Sequence, residues 1–252
     1  MGHLLTGLVD AVGFLTRLPV GAEVHDSSRI SRAVPWFPVV GALVGALVAG
    51  VYASLLYVLP PLVAAVIAVA AGMLVTGAFH EDGLADLADA FGGGRDRDDR
   101  LRILKDPRLG TFGVLAVVVS ALVRVGSIAA LGQNTGLLVI PSAHALGRAA
   151  AVGTMLAFDP VTEGLGASYV RAVRRRQAVI GIVAGVLIAA ALMRAWAAIG
   201  IVTGTCAAAA LGRLASRKIG GINGDVLGAV EQVTEIGVLV LAVAALHHGR
   251  LV

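Results

Sequence analysis

The sequence predicts an all-α polytopic integral membrane protein with about seven transmembrane helices and an N-terminal amphipathic helix. Of the 252 residues, 58% are hydrophobic and only 14% are charged, and the mean hydropathy is +0.89. A soluble domain carries about 25% charged and about 45–50% apolar residues. The same composition excludes a disordered chain, and a single cysteine, Cys206, excludes an intrachain disulfide framework.

The first apolar stretch, residues 4–18, predicts an amphipathic helix that lies in the membrane interface. It contains Asp10 and has no early basic residue, whereas a cleaved signal peptide begins with basic residues and has an uninterrupted apolar core. Pro19 ends the stretch. The charged segment from there to Pro35 predicts a polar loop.

Seven further apolar stretches are long enough, or nearly long enough, to cross a bilayer, which takes about 20 helical residues. They are residues 37–59, 62–79, 112–131, 137–158, 178–193, 195–212 and 233–247. The 33 glycines suit this architecture, because small residues let membrane helices approach one another closely.

The distribution of charge predicts the orientation. If the N-terminus is cytoplasmic, the inside segments 1–36, 80–111, 159–177 and 213–232 hold 16 of the 20 lysines and arginines. Such a bias toward one side sets the topology of a membrane protein. All 16 acidic residues lie on these segments or at their edges, so we expect the active site on the cytoplasmic side. The net charge of +4 then reflects basic loops and not a nucleic-acid-binding surface.

The segment after the second stretch, FHEDGLADLADAFGGG, predicts a metal site. Asp82, Asp86 and Asp89 follow one another at i, i+4 and i+7, so they share one helix face. Their mutual repulsion favours a divalent cation that prefers oxygen ligands, such as Mg²⁺. Glu81 lies about a quarter-turn away and is a further candidate ligand. The alternative is a solvated acidic helix end.

The residues before the third stretch, KDPRLGTFG, predict a phosphate-binding site. Lys105, Arg108 and Thr111 supply cations and donors, and Arg17 is either a further phosphate contact or an interfacial anchor. Beside a carboxylate metal site, these groups favour phosphoryl-transfer chemistry. Asp89 is then the first candidate for the general base, and His80 is the second.

Several ionisable residues fall inside apolar stretches, where they are costly unless they face a protein interior or a wet cavity. Arg124, His144 and Arg148 either line a polar cavity that meets an anionic substrate or the aspartates, or form structural ion pairs. Glu231 and Glu235 are i, i+4 partners that enter the last stretch and need a polar or cationic partner there.

A second glycine-rich motif, KIGGINGDVLGAVEQVTEIG, precedes the last stretch. Glycines let a backbone approach a ligand, and Asn223 and Asp225 offer oxygen ligands or donors. Asp225 is alternatively a helix cap. We predict that Asn223, Asp225 and Glu231 complete the metal- or substrate-binding site.

At these motifs the sequence resembles the cobalamin synthase (adenosylcobinamide-GDP ribazoletransferase) family. The matching pieces occur in the family's order over nearly the whole chain: FLTRLP, WFPVVGALVGA, FHEDGLADLADAFGGG, KDPRLGTFG, the EGLG loop at 163–166, and GGINGDVLGAVEQVTEI. The loop is either a mobile lid or a turn. The family often has leucine where this chain has Glu81, which leaves the role of Glu81 as a ligand open.

The resemblance implies one transferase domain over residues 1–252, embedded in the cytoplasmic membrane. Its implied activity is Mg²⁺-dependent transfer of the cobinamide phosphate of adenosylcobinamide-GDP to α-ribazole or its 5′-phosphate, with release of GMP. The implied partners are these substrates and the lipid bilayer, without nucleic acid, and a homo-oligomer is left open.

Two other functions are open alternatives. The aspartate-rich motif also resembles in part the signature of CDP-alcohol phosphotransferases of lipid synthesis, although its spacing is shorter. The other alternative is an ion-coupled transporter, which the clustering of acids at one interface and the lack of an internal repeat disfavour.

Overall fold

The computed structural model describes residues 2–21, 27–161 and 170–249, and the regular secondary structure of these residues is helical. The helices, in chain order, are α1 (Gly2–Leu15), α2 (Ser27–Ala33), α3 (Phe37–Leu55), α4 (Pro61–Thr76), α5 (Phe79–Gly93), α6 (Arg97–Ile103), α7 (Thr111–Ala157), α8 (Arg175–Met193), α9 (Ala197–Ile219) and α10 (Gly224–His247). Short 3-10 turns, Val34–Trp36 and Arg194–Trp196, precede α3 and α9.

Within the described residues, four helical stretches are long and apolar enough to cross a membrane. These stretches are Arg29–Leu55, Thr111–Ala157, Arg175–Ile219 and Gly224–His247. A fifth is counted if α4 and α5, which meet at an angle of 90°, form one broken span. The predicted class, an all-α polytopic membrane protein, is therefore confirmed.

Helix α7 is 47 residues long and folds back on itself at Gly132, whose φ of 68° is readily adopted only by glycine. Arg124 Nε lies 3.0 Å from Glu235 Oε1, and Arg148 Nη1 lies 3.4 Å from Glu235 Oε2. A straight helix would hold residues 124 and 148 about 36 Å apart. The segments 111–131 and 133–157 thus lie side by side.

The stretch Arg175–Ile219 also reverses, at Arg194, whose φ is 53°. Gly185 packs against Ala149, and Gly204 packs against Ala150. Ala149 and Ala150 are adjacent in the sequence. A straight helix would separate residues 185 and 204 by about 28 Å. With these two reversals, each of the seven predicted apolar stretches coincides with one helical segment, although the number of membrane crossings itself stays a prediction.

The prediction of a polar loop up to Pro35 is wrong for its second half, because α2 forms there. Ile30 and Ala33 of α2 are buried in one apolar cluster with Ala11 and Leu15 of α1. Asp10 of α1 is 1% exposed and lies 3.4 Å from Arg29 Nε. Burial against α1 and this ion pair stabilise a helix that the local composition does not indicate.

Two close contacts fix α5 against α10. A Cβ atom on Gly83 would lie 3.0 Å from the Cα atom of Asp225, and a Cβ atom on Gly228 would lie 3.2 Å from the carbonyl oxygen of His80. The preceding turn is sharp because Gly77 and Ala78 both adopt positive φ, 67° and 55°. Gly83 and Asp225 are 142 residues apart along the chain (225 − 83), so the two predicted motifs meet where α5 and α10 begin.

Candidate active site

Three carboxylates gather where α5 meets the beginning of α10. Asp82 is exposed and Asp86 half-buried on α5, and Asp225 is on the first turn of α10. The carboxylates of Asp82 and Asp86 both act electrostatically on Asp225. We call Asp82, Asp86 and Asp225 the carboxylate cluster.

The electrostatics of this cluster suit a divalent cation. Helix α5 lies outside the four stretches that are long and apolar enough to span a membrane. Burial, and then the negative charges of Asp82 and Asp89, raise the pKa of Asp86 to about 6. Carboxylates that repel one another in this way are stabilised by a shared cation. Hard oxygen donors also match the ligand preference of Mg²⁺, so the residues present fit such an ion.

Asp89 has a different environment from Asp82 and Asp86. Its Oδ2 accepts a hydrogen bond from the backbone N–H of Gly110 at 2.7 Å, and its Oδ1 accepts one from the backbone N–H of Gly113 at 2.8 Å. The carboxylate is 9% exposed and faces the positive end of the α7 dipole. Asp89 thus fastens the beginning of α7 to α5.

Asn223 organises the beginning of α10. Its Oδ1 accepts a hydrogen bond from the backbone N–H of Val226 at 3.1 Å, and its Nδ2 donates one to Asp225 Oδ2 at 2.7 Å. Asn223, rather than Asp225, is therefore the N-cap of this helix. The hydrogen bond holds the Asp225 side chain while leaving its other oxygen available.

The predicted phosphate-binding residues lie at the surface. Lys105 and Thr111 are exposed. Arg108 is 84% exposed and forms an ion pair with Asp106, its Nη2 lying 2.7 Å from Asp106 Oδ2. The hydrogen bonds that Asp106 accepts from the side chain and the backbone N–H of Arg108 lower the pKa of Asp106 to about 2. Arg17 is exposed beside Gly77, at the turn that leads into α5, and its backbone N–H donates to the carbonyl of Val75 at 2.7 Å.

Glu81 points away from its neighbour Asp82 and into the protein. Its Oε1 lies 2.6 Å from Arg124 Nη1 on α7 and accepts a hydrogen bond of 3.3 Å from Gln232 Nε2 on α10. Glu81 is 5% exposed and Arg124 is 3% exposed. Glu81 is therefore paired with one buried guanidinium group, that of Arg124, and one buried amide, that of Gln232.

The second half of the buried network joins α7 to α10 through Arg148. Its guanidinium forms an ion pair with Glu231 Oε1 and lies 3.4 Å from Glu235 Oε2. His144 Nδ1 lies 3.0 Å from the same oxygen of Glu235. All four side chains are buried. Of the two readings of these residues, the structure favours ion pairs inside the helix bundle.

His80 borders the buried network and lies two residues before Asp82 of the carboxylate cluster. Its Nδ1 is 3.8 Å from Glu231 Oε2, and its ring meets that of Phe79 edge-on, with the centroids 5.2 Å apart. The residue is 5% exposed.

The ligand atoms of His144, Glu231 and Glu235 lie within 4.8 Å of one another, which makes them a second possible metal-binding group. Arg124 and Arg148 already neutralise the same carboxylates. A divalent cation would have to displace or approach two buried guanidinium groups. The carboxylate cluster, where the neighbouring charges are negative, is the better cation site.

Gln232 and Ser120 also belong to the buried network and were not predicted from the sequence. Gln232 donates to Glu231 Oε2 at 3.1 Å, and its Oε1 accepts hydrogen bonds from Ser120 Oγ at 3.0 Å and from Arg124 Nη1 at 3.2 Å. The available signal was a long amide side chain next to Glu231 in an apolar helix. The EGLG loop, Glu163–Gly166, lies outside the described residues.

Comparisons with known proteins point to one family. A family model described as cobalamin-5-phosphate synthase matches residues 7–243. An adenosylcobinamide-GDP ribazoletransferase of Ralstonia pickettii is 42% identical over 91% of this chain and 91% of its own length. Proteins of the same name from Bradyrhizobium diazoefficiens and Chlorobaculum tepidum are 40% and 36% identical, over 98% and 95% of this chain and 96% and 95% of their own lengths. No solved structure matches the chain.

Proposed function

Since the chain belongs to the cobalamin-5-phosphate synthase family, we propose that it transfers the cobinamide phosphate of adenosylcobinamide-GDP to ribazole or ribazole phosphate and releases GMP. The chain is a transferase embedded in a membrane. The observation that carries the proposed chemistry is the carboxylate cluster. It presents three acidic side chains at the junction of α5 and α10, and those of Asp86 and Asp225 interact chiefly with other carboxylates.

The reaction exchanges one phosphorus–oxygen bond for another. A ribose hydroxyl oxygen of ribazole bonds to the phosphorus that carries cobinamide, and the phosphoanhydride bond to the GMP phosphate breaks. GMP leaves with the electron pair of that bond, and the hydroxyl proton passes to a base. The chain must therefore hold a diphosphate, orient a hydroxyl group and accept a proton.

Asp82, Asp86 and Asp225 would hold Mg²⁺. When bound, the ion neutralises the charge that develops on the diphosphate. Asn223 fixes the Asp225 side chain through its 2.7 Å hydrogen bond, which prepares one wall of this site before substrate arrives. Such second-layer hydrogen bonds orient metal ligands and tune their affinity.

Lys105, Arg108, Thr111 and Arg17 are suited to contact the phosphates of the nucleotide, because they are exposed near the two ends of α5. Arg108 would exchange its ion pair with Asp106 for phosphate oxygens. Arg108 is solvent-exposed and Asp106 is partly exposed, so the exchange loses little, because ion pairs at the surface contribute little to stability.

His80 is the better of the two candidates for the base. Both oxygens of Asp89 accept backbone hydrogen bonds from the beginning of α7, so this carboxylate is already engaged in holding that helix. His80 lies two residues before Asp82, and its Nδ1 is 3.8 Å from Glu231 Oε2.

We place the active site on the cytoplasmic side of the cytoplasmic membrane, with the N-terminus also cytoplasmic. The bias of basic residues to the segments around α5, α6 and the beginning of α10 supports this orientation. Both substrates carry phosphate or hydroxyl groups, so they would reach the cluster from water and not through the lipid.

The test is an assay of GMP release by the full chain in detergent or nanodiscs. We expect release to require adenosylcobinamide-GDP, ribazole and Mg²⁺ together, and to stop when the ion is chelated. Asp82→Asn and Asp86→Asn should each lower kcat at least about 100-fold, since each removes a proposed metal ligand. Asp98→Asn, on the surface helix α6, is the matched control and should keep normal turnover.

Two outcomes would contradict the proposal. Normal GMP release by Asp82→Asn and Asp86→Asn would remove the metal-site argument. Release of CMP from a CDP-activated alcohol, with no GMP from the corrinoid substrate, would favour the CDP-alcohol phosphotransferase alternative.

A further inference from the structure

Two cationic side chains tie the end of α9 to α5 and α6. Lys218 Nζ, in the last turn of α9, donates a hydrogen bond of 3.1 Å to the carbonyl oxygen of Phe91 near the end of α5. In the opposite direction, Arg97 Nε on α6 donates a hydrogen bond of 3.1 Å to the carbonyl oxygen of Ile219, the last residue of α9. We call these two hydrogen bonds the cationic clamp.

Both bonds of the cationic clamp end on carbonyl groups of the kind that a helix leaves without a backbone partner at its end. The backbone N–H of Arg95, four residues after Phe91, donates to Asp99 Oδ2 instead. A cation at this end of a helix also faces the negative pole of the helix dipole. Lys218 Nζ lies 5.0 Å from the centroid of the Phe91 ring, which adds a cation–π contact. The clamp is therefore a specific contact between three helices.

The segment that connects α9 to α10 is also held in place. The backbone N–H of Ile222 donates to the carbonyl of Asp159 at 2.9 Å, and the carbonyl of Ile222 accepts from the backbone N–H of Val161 at 2.9 Å. A Cβ atom on Gly221 would lie 2.7 Å from the same stretch of backbone. The connection from α9 to Asp225 therefore has little freedom to absorb a shift of α9, and such a shift would move Asp225.

The same contacts fix the direction of α5. Leu87 of α5 packs with Ile219 and Ile222 in one apolar cluster. The close contact at Gly83 holds the beginning of α5 against α10, and the cationic clamp holds the end of α5 at Phe91. Two points of attachment along one helix determine its angle as well as its distance from a neighbour.

We propose that Lys218 and Arg97 are positioning residues of the metal site: the cationic clamp sets the spacing between the α5 aspartates and Asp225 that one divalent cation requires. This inference rests on the proposed function, because the cation site belongs to it. Mg²⁺ takes oxygen ligands at about 2.0–2.1 Å in nearly ideal octahedral geometry, so ligands from two helices must be held to within about 0.5 Å. Neither Lys218 nor Arg97 contacts the ion or the substrates in this assignment.

A direct role of Lys218 in binding phosphate fits the structure less well. The side chain is half-buried, and its Nζ is already engaged by the carbonyl and the ring of Phe91. A purely structural role is the other alternative. It predicts a lower unfolding midpoint without any change in metal affinity at temperatures where the protein is folded. Metal affinity and substrate affinity, measured separately, therefore distinguish the three roles.

The test measures the binding of Mn²⁺, which accepts the same oxygen ligands as Mg²⁺, to the full chain in nanodiscs of zwitterionic lipid without substrates. Electron paramagnetic resonance reports the free Mn²⁺ in each titration. Lys218→Met keeps an apolar side chain beside Phe91 but removes the donor and the charge. The Kd for Mn²⁺ should rise about tenfold, the lower end of the range for residues that orient metal ligands without binding the metal.

Four further variants make this titration specific. Lys218→Arg restores a donor and a positive charge, so its Kd for Mn²⁺ should stay within about threefold of the wild-type value. Arg217→Met, the exposed neighbour on the same turn, is the matched control and should bind Mn²⁺ like the wild type. Asp86→Asn should abolish the binding, which identifies the titrated site as the carboxylate cluster. Arg97→Met changes an exposed residue, tests the other half of the clamp if Lys218→Met does not fold, and should raise the Kd at least about threefold.

Turnover adds a second readout. For Lys218→Met, the half-saturating concentration of Mg²⁺ should rise by the same factor as the Kd for Mn²⁺. The KM for adenosylcobinamide-GDP, measured at saturating Mg²⁺, should stay within about twofold, because the clamp acts on the metal site and not on the substrate. Thermal unfolding shows that each variant is folded at the temperature of the titration.

The outcomes separate this inference from the proposed function. Wild-type affinity for Mn²⁺ in folded Lys218→Met or Arg97→Met overturns the inference, and so does a Lys218→Arg protein that binds as weakly as Lys218→Met. A raised KM at saturating Mg²⁺ also overturns it, because Lys218 then contacts the substrate. In each of these cases, GMP release by the wild type leaves the proposed function standing. If the variants lose Mn²⁺ affinity as expected but the wild type releases no GMP, the clamp stands and the proposed function fails.

Discussion

Removing Arg124 should destabilise the protein through the two buried carboxylates that it neutralises. Arg124 lies 2.6 Å from Glu81 and 3.0 Å from Glu235, and it donates to Gln232 at 3.2 Å. Three carboxylates, those of Glu81, Glu231 and Glu235, face two guanidinium groups, so the formal net charge of the network with neutral histidines is −1 (2 − 3). Arg124→Met changes this to about −2 in an environment that hydrates ions poorly.

The expected loss is about 3–5 kcal/mol, the range for breaking a buried ion pair by removing one partner. For a chain of this size, about 2–4 °C of melting temperature corresponds to 1 kcal/mol, so the unfolding midpoint should fall by about 6–20 °C. The assay is thermal unfolding of the full chain in nanodiscs, followed by circular dichroism. Arg213→Met, an exposed arginine on α9, removes the same charge and should shift the midpoint little.

The double variant Arg124→Met with Glu81→Gln tests the reasoning itself. It restores the net charge of the network to about −1 while it keeps the packing defect of the single variant. Part of the lost stability should therefore return, as a positive coupling between the two sites. If Arg124→Met unfolds at the wild-type temperature, or if the double variant is less stable than the single one, charge compensation does not hold this network together.

Two further predictions concern the attachment of α5. Asp89→Ala removes the acceptor for the backbone N–H groups of Gly110 and Gly113, so it should lower the free energy of unfolding by about 1–2 kcal/mol. The measurement is the thermal unfolding midpoint. The control, Asp96→Ala, removes the N-cap of the exposed helix α6 and should lower the midpoint less. Gly83→Ala places a Cβ atom 3.0 Å from Asp225 Cα, so α5 and α10 must separate. Mg²⁺-dependent turnover should therefore fall at least about tenfold. Full activity would show that this contact does not position the carboxylate cluster.

Most of the fold could be predicted because hydropathy acts locally. The polar residues around Gly132 interrupt an apolar run, and this alone separates the segments 111–131 and 133–157. Helix α2 could not be predicted in the same way. Its stability depends on Ile30 and Ala33 packing against α1, and on the ion pair between half-buried Arg29 and buried Asp10, which are tertiary contacts.

The candidate site was predictable only within each motif. The periodicity of Asp82 and Asp86 follows from 3.6 residues per turn, and the capping ability of Asn223 follows from its chemistry. That Asp225 joins the two α5 aspartates depends on the close approach at Gly83. Likewise, Asp89 shares their helix face in sequence, but its oxygens are taken by amides that lie 21 and 24 residues further along the chain.

The division of α5 into a buried and an open acidic face follows from one helical step. Glu81 and Asp82 are neighbours, and successive residues on a helix point about 100° apart. One therefore faces Arg124 and Gln232 in the bundle, while the other is exposed beside Asp225. The guanidinium groups make the inner face electrically nearly balanced, so it supports the position of α5 against α7 and α10. Among the described residues, the charged side chains that act on Asp86 and Asp225 of the outer face are other carboxylates, which is the condition for attracting a cation and, with it, a diphosphate.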